Sequence, residues 1–121
     1  MKRVVMLLSL IAAALFTALV VAGCGGAGGG EITVKGTEYK FDPASVTLQA
    51  GQKAKVTLQN DGAIAHNWTV LGLDNVTTGD VESRQKKSVE FTPPQAGTYT
   101  VECTIPGHAE AGMICTLGVE P

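Results

Sequence analysis

The chain has 121 residues, of which 45% are hydrophobic and only 5% aromatic, and its formal charge is −2. A chain of this length forms a single domain, and its apolar content excludes a disordered polar chain. Its mildly acidic balance makes it a poor candidate for binding nucleic acid.

The N-terminal segment carries the pattern of an export signal. Residues 1–23 begin with a basic pair and continue with an uncharged apolar run from Val4 to Ala22. The last four positions, Val21-Ala22-Gly23-Cys24, resemble the cleavage motif of bacterial lipoproteins. That resemblance implies removal of residues 1–23, acylation of Cys24, and membrane attachment at the periplasmic or extracellular face. An uncleaved transmembrane anchor is the alternative, because the run approaches the ~20 residues that a span needs.

Residues 24–30 comprise Cys24 and a glycine-rich stretch, which predicts a flexible linker. From residue 31 to 121 the chain shows short alternating segments separated by turn residues, and no helical period. We expect strands at 32–35, 39–41, 46–49, 53–60, 67–71, 88–92, 98–104 and 113–119, with loops over 72–87. This pattern predicts an all-β fold, a Greek-key β-sandwich of about seven or eight strands.

Soft metal-ligand side chains recur at regular intervals near the C-terminus. Cys103, His108 and Met113 are spaced five residues apart, and His66 lies about forty residues upstream. Thiolate, imidazole and thioether together favour copper, zinc or an iron–sulfur centre over magnesium or calcium. Strand alternation places Cys103 on the apolar face of its strand. A metal-free sandwich with a Cys103–Cys115 disulfide remains the alternative.

The motifs His66–Val70 and Cys103–Met113 resemble those of the cupredoxins, small copper proteins such as plastocyanin and azurin. The resemblance covers residues 31–121. It implies one type 1 copper ion held by His66, Cys103 and His108, with Met113 as a weak axial ligand. It further implies that Asn67 and Thr104 link the two ligand loops, and that a backbone N–H near Asn67 donates to the cysteine sulfur.

The same resemblance implies a monomeric one-electron carrier that meets redox protein partners transiently. The edge of His108 would lie in an apolar docking surface that includes Ala63, Ile64, Pro106, Gly107 and Ala109. An enzyme is not expected, because four protein ligands leave no open position for substrate. A periplasmic copper chaperone or store is the alternative function. The chain departs from many relatives at Cys115, where they have glycine.

Overall fold

The computed structural model describes residues 30–121. The predicted signal peptide, the acylated Cys24 and the linker up to residue 29 lie outside the described residues. The predicted all-β fold is confirmed, with eight strands in the described part of the chain. They are β1 (Glu31–Thr37), β2 (Lys40–Asp42), β3 (Ser45–Gln49), β4 (Ala54–Asn60), β5 (Thr69–Val70), β6 (Lys86–Phe91), β7 (Gly97–Glu102) and β8 (Ile114–Glu120).

The strands form two four-stranded sheets, ordered β2-β1-β4-β6 and β3-β8-β7-β5. In the first sheet β1 runs parallel to β4, with Gly36 opposite Asn60 at the end of the shared register. In the second sheet β3 runs parallel to β8, and β7 is antiparallel to β8. The segment between β7 and β8 therefore emerges at one end of the sandwich and returns to the same end.

The core lies between the two sheets because alternate side chains of each strand point inward. In β8 the burial alternates along the strand, with Cys115, Leu117 and Val119 buried. Val34, Val56, Leu58 and Trp68 are among the side chains withdrawn completely from water. Full burial of such a side chain contributes roughly 1.5–3 kcal/mol, so the apolar alternation is the main source of stability.

Most strand boundaries differ from the sequence prediction by one or two residues, and the differences at β5 and β6 have visible causes. The segment predicted as a strand over 67–71 contributes only Thr69–Val70, because the Asn67 side chain is used to tie two loops together. Strand β6 begins at Lys86, two residues earlier than predicted, because Lys86 and Lys87 pair with β4 while their side chains stay exposed. Residues 72–85 form turns and isolated bridges, and residues 30–121 include no helix long and apolar enough to cross a membrane.

Candidate metal site

The loop between β7 and β8 folds back on itself and brings three of the predicted ligands together. The Cys103 N–H donates to the Met113 carbonyl (3.1 Å), and the Met113 N–H donates to the His108 carbonyl (3.0 Å). Gly107 and Gly112 have φ values of 88° and 107°, which glycine adopts without the strain other residues would suffer. The backbone alone thus holds Cys103, His108 and Met113 at fixed relative positions.

His66 reaches the same place from the segment that follows β4. Its backbone is fixed by two hydrogen bonds with Val81, N–H to carbonyl in each direction (3.1 and 2.8 Å). His66 Nδ1 lies 3.2 Å from His108 Nδ1, which lies 3.4 Å from Cys103 Sγ. The donor atoms of these three residues all lie within 4.8 Å of one another, and all three side chains are buried.

Met113 is also fully buried, and Gly36 gives it room. A Cβ added at Gly36 would lie 3.2 Å from Leu58 Cδ1, 3.5 Å from Met113 Cε and 4.0 Å from His66 Cβ. Two imidazole nitrogens, one thiol sulfur and one thioether sulfur therefore converge on a buried region, with Gly36 beside it. This soft donor set fits copper.

Asn67 joins the two ligand-bearing segments. Its amide nitrogen donates to Thr104 Oγ1 (3.0 Å) and to Asp80 Oδ1 (2.9 Å). Its amide oxygen accepts from the Thr104 N–H (3.0 Å) and from Thr69 Oγ1 (2.9 Å). The residue after His66 is thereby bonded to the residue after Cys103, which fixes the two ligands relative to each other.

The cysteine sulfur has a second polar neighbour. The backbone N–H of Asn67 points at Cys103 Sγ, with nitrogen and sulfur 3.4 Å apart. A hydrogen bond of this kind withdraws charge from a thiolate, and so tunes any metal bound to it.

Two residues in the turn between β1 and β2 contact the imidazoles, and sequence reasoning did not find them. Glu38 Oε1 lies 3.1 Å from His66 Nε2, and the Tyr39 ring packs edge-on against the His108 ring with centroids 5.0 Å apart. The backbone N–H of Ile64 lowers the pKa of Glu38, while desolvation opposes this shift. These contacts depend on the parallel pairing of β1 with β4, which leaves no signal in residue spacing.

The residues predicted to form a docking surface lie around the outer edge of the loops. Ala63, Ile64, Pro106 and Gly107 are exposed and Ala109 is half-buried. Tyr39 and Ile64 are 41% and 42% exposed, and among the described residues Leu71 and Ile114 are the other large apolar side chains exposed to a similar degree.

Cys115 is buried and forms no disulfide with Cys103. It lies opposite Val101 in the β7–β8 ladder, on the same side as Met113 and Leu117. Burial raises the pKa of the Cys115 thiol to about 11, and the neighbouring Trp68 side chain opposes this rise only in part. Cys115 therefore remains a protonated, space-filling thiol at neutral pH.

Comparison with known proteins identifies the family. A profile of the cupredoxin-like domain matches residues 6–115. The chain belongs to the cupredoxin-like family. It is 30% identical to auracyanin-A of Chloroflexus aurantiacus over 75% of this chain and 83% of that protein. The solved structure of auracyanin A, described as a "blue" copper protein, superposes with a TM-score of 0.66 at 27% identity, covering 76% of this chain and 100% of that one.

A second relative is the copper-resistant cuproprotein CopI of Rubrivivax gelatinosus, 26% identical over 62% of this chain and 56% of that protein. The family and the set of donor atoms both indicate that the cofactor of this cupredoxin is a single copper ion.

Proposed function

We propose that this cupredoxin is a type 1 copper electron carrier. His66, Cys103 and His108 would be the strong ligands, with Met113 in the axial position. The observation that carries the proposal is the pattern of exposure. His66, Cys103 and Met113 are fully buried, whereas 7% of His108 is exposed. A buried site in which His108 is the most accessible of the four proposed ligands suits a partner that exchanges electrons and leaves the metal in place.

Bound copper would supply a reversible one-electron change between Cu(II) and Cu(I). The protein contributes rigidity, because hydrogen bonds among Cys103, Met113, His108 and Asn67 fix the donors before any metal arrives. Soft sulfur donors suit Cu(I) and imidazoles suit Cu(II), so this mixed, fixed set accommodates both states with little rearrangement. The full set of protein donors leaves no position for a substrate, which supports a carrier rather than an enzyme.

The proposed docking surface consists of Ala63, Ile64, Pro106, Gly107 and Ala109, with Tyr39 added from the structure. Tyr39 packs against the His108 ring, and Pro106, Gly107 and Ala109 are its neighbours along the chain. An apolar surface of this kind suits brief contact with redox proteins over a small area. Electron self-exchange between two copies provides a probe that needs no identified partner. Ile64→Asp should slow self-exchange by roughly tenfold or more, because it sets like charges against each other at the contact. Thr47→Asp, which adds the same charge on the exposed face of β3, should not. Equal rates in both variants would exclude this surface.

We further propose that the protein is a monomer tethered by a lipid on Cys24 at the periplasmic or extracellular face of a membrane. Support comes from the motif at positions 21–24 and the glycine-rich linker that follows. Cys24→Ser should abolish labelling of the protein with fatty acid. Native protein that lacks lipid and retains residues 1–23 would instead indicate an uncleaved anchor.

Copper storage or delivery is the second candidate function. The likeness to CopI, whose name refers to copper resistance, supports it less well than the likeness to auracyanin-A supports a carrier. Proteins that hand over copper offer it exposed, exchangeable ligands, whereas within residues 30–121 Met113 is the single methionine and is buried. Voltammetry of the copper-loaded protein separates the two. A carrier cycles reversibly by one electron and keeps its metal in the presence of a Cu(I) chelator, whereas a delivery protein loses it.

A further inference from the structure

Glu38 occupies a position that the copper-ligand pattern leaves unexplained. It follows β1, and the parallel pairing of β1 with β4 ends at Gly36 opposite Asn60. The residues just beyond these two strand ends are therefore neighbours. This places the Glu38 side chain beside the segment that leads from β4 to His66.

A single oxygen of Glu38 organises that segment. Oε1 accepts hydrogen bonds from the backbone N–H groups of Ala63 (2.8 Å) and Ile64 (3.1 Å), and lies 3.1 Å from His66 Nε2. Gly62 makes this possible, because any Cβ at that position would collide with the Glu38 carboxylate. The carboxylate is thus seated in a cradle formed by the backbone of residues 62–64.

The geometry fixes where the His66 proton resides. An ionised carboxylate can only accept hydrogen bonds, so His66 Nε2 must carry the hydrogen. The lone pair is then on Nδ1, the atom that faces His108 Nδ1. A histidine that ligates a metal commonly donates its other N–H to a carboxylate, which orients the ring and raises its basicity.

We propose that Glu38 is a positioning residue that holds His66 in the Nε2–H tautomer, keeps Nδ1 free for copper, and lowers the reduction potential through its negative charge. The second and third effects rest on the proposed function, while the tautomer is a property of the metal-free protein. The charge favours the more positive oxidised ion, and so opposes reduction.

Two variants separate positioning from charge. Glu38→Gln keeps an oxygen that can accept from Ala63, Ile64 and His66, because the two backbone donors require an acceptor there. It removes only the charge. Glu38→Ala removes both charge and acceptor. Glu110→Gln is the matched control, since Glu110 is an exposed glutamate near His108 without a hydrogen bond to either ring.

The first measurement is ¹⁵N NMR of the histidine rings in metal-free protein at neutral pH. We expect His66 to be Nε2–H in the unchanged protein and in Glu38→Gln, and a mixture of tautomers in Glu38→Ala. Nδ1–H in the unchanged protein, or an unaltered tautomer in Glu38→Ala, overturns the positioning role. Because this measurement uses no copper, it decides the role of Glu38 even if the proposed electron-carrier function fails.

The second measurement is the reduction potential of the copper-loaded variants. Loss of a partner to a ligating histidine typically weakens metal binding 10–100-fold. A tenfold loss confined to Cu(II) raises the potential by ~59 mV, the value for one electron. We expect a rise in Glu38→Gln, a larger rise in Glu38→Ala, and a smaller one in Glu110→Gln. A rise in Glu38→Gln no greater than in Glu110→Gln overturns the charge effect.

Discussion

The hydrogen bonds of Asn67, which link the two ligand loops, should contribute substantially to the stability of the fold. Asn67 is only 4% exposed, and its side chain takes part in four hydrogen bonds of 3.0 Å or shorter, which reach Asp80, Thr69 and both the backbone and side chain of Thr104. Asn67→Ala removes all four and leaves the Thr104 N–H without its acceptor. We expect this variant to be destabilised even without metal.

The number of hydrogen bonds lost determines how far Asn67→Ala lowers the free energy of unfolding. A net contribution of about 1 kcal/mol per hydrogen bond gives about 4 kcal/mol for the four. Thr104 and Asp80 are exposed, so water replaces some of these partners, and we expect a loss of roughly 2–3 kcal/mol. This is a large share of the ~5–15 kcal/mol by which small domains are stable.

Urea unfolding of the metal-free protein under reducing conditions measures this loss directly. With a slope of about 1–3 kcal/mol per molar urea, a loss of roughly 2–3 kcal/mol lowers the midpoint by roughly 0.7–3 M. Gln95→Ala is the control, because it removes an exposed amide that makes no side-chain hydrogen bond among the described residues. If Asn67→Ala and Gln95→Ala unfold at the same urea concentration, the loop link does not stabilise the fold.

Three further outcomes are expected. Gly36→Ala should destabilise the protein by about 1 kcal/mol, because the added Cβ would lie only 3.2 Å from Leu58 Cδ1. Gly118→Ala, whose Cβ would meet nothing nearer than 3.9 Å, is the control, and equal urea midpoints would contradict this. Met113→Leu should retain copper and raise the reduction potential, whereas complete loss of copper binding would make Met113 a primary ligand. Cys115 in folded metal-free protein should be alkylated slowly until the pH approaches about 11, because burial disfavours its thiolate; a disulfide-linked peptide containing Cys115 would refute the space-filling role.

Local patterns in the sequence were sufficient to predict the strands approximately, and to predict that Cys103, His108 and Met113 lie together. Alternation along β4 and β8 is a local property, so both strands could be placed before their partners were known. Three of the clustered side chains occur at five-residue intervals in one loop, so a single turn brings them together. His66 is included from its residue type and its expected place beside a strand, and the family resemblance then assigns it as a ligand. Its approach to the other three depends on the packing of distant segments.

Contacts between distant segments could not be predicted in this way. The approach of Glu38 to His66 requires the parallel register of β1 with β4. The packing of Tyr39 on His108 depends on the same register, because Tyr39 lies in the same turn as Glu38. Strand β5 is shorter than alternation predicts because the Asn67 side chain satisfies loop groups rather than packing in a strand. In each case the contact or the strand length is determined by residues that are distant in the sequence.

The visible absorption spectrum of the copper-loaded protein tests the ligand assignment most directly. A thiolate bound to Cu(II) produces an intense charge-transfer band, and Cys103 is the proposed thiolate. We predict that Cys103→Ser abolishes the band, and that Cys115→Ala, which removes the other buried thiol, retains it. A band that survives Cys103→Ser, or that is lost in folded Cys115→Ala, would contradict the assignment of Cys103 as the copper ligand.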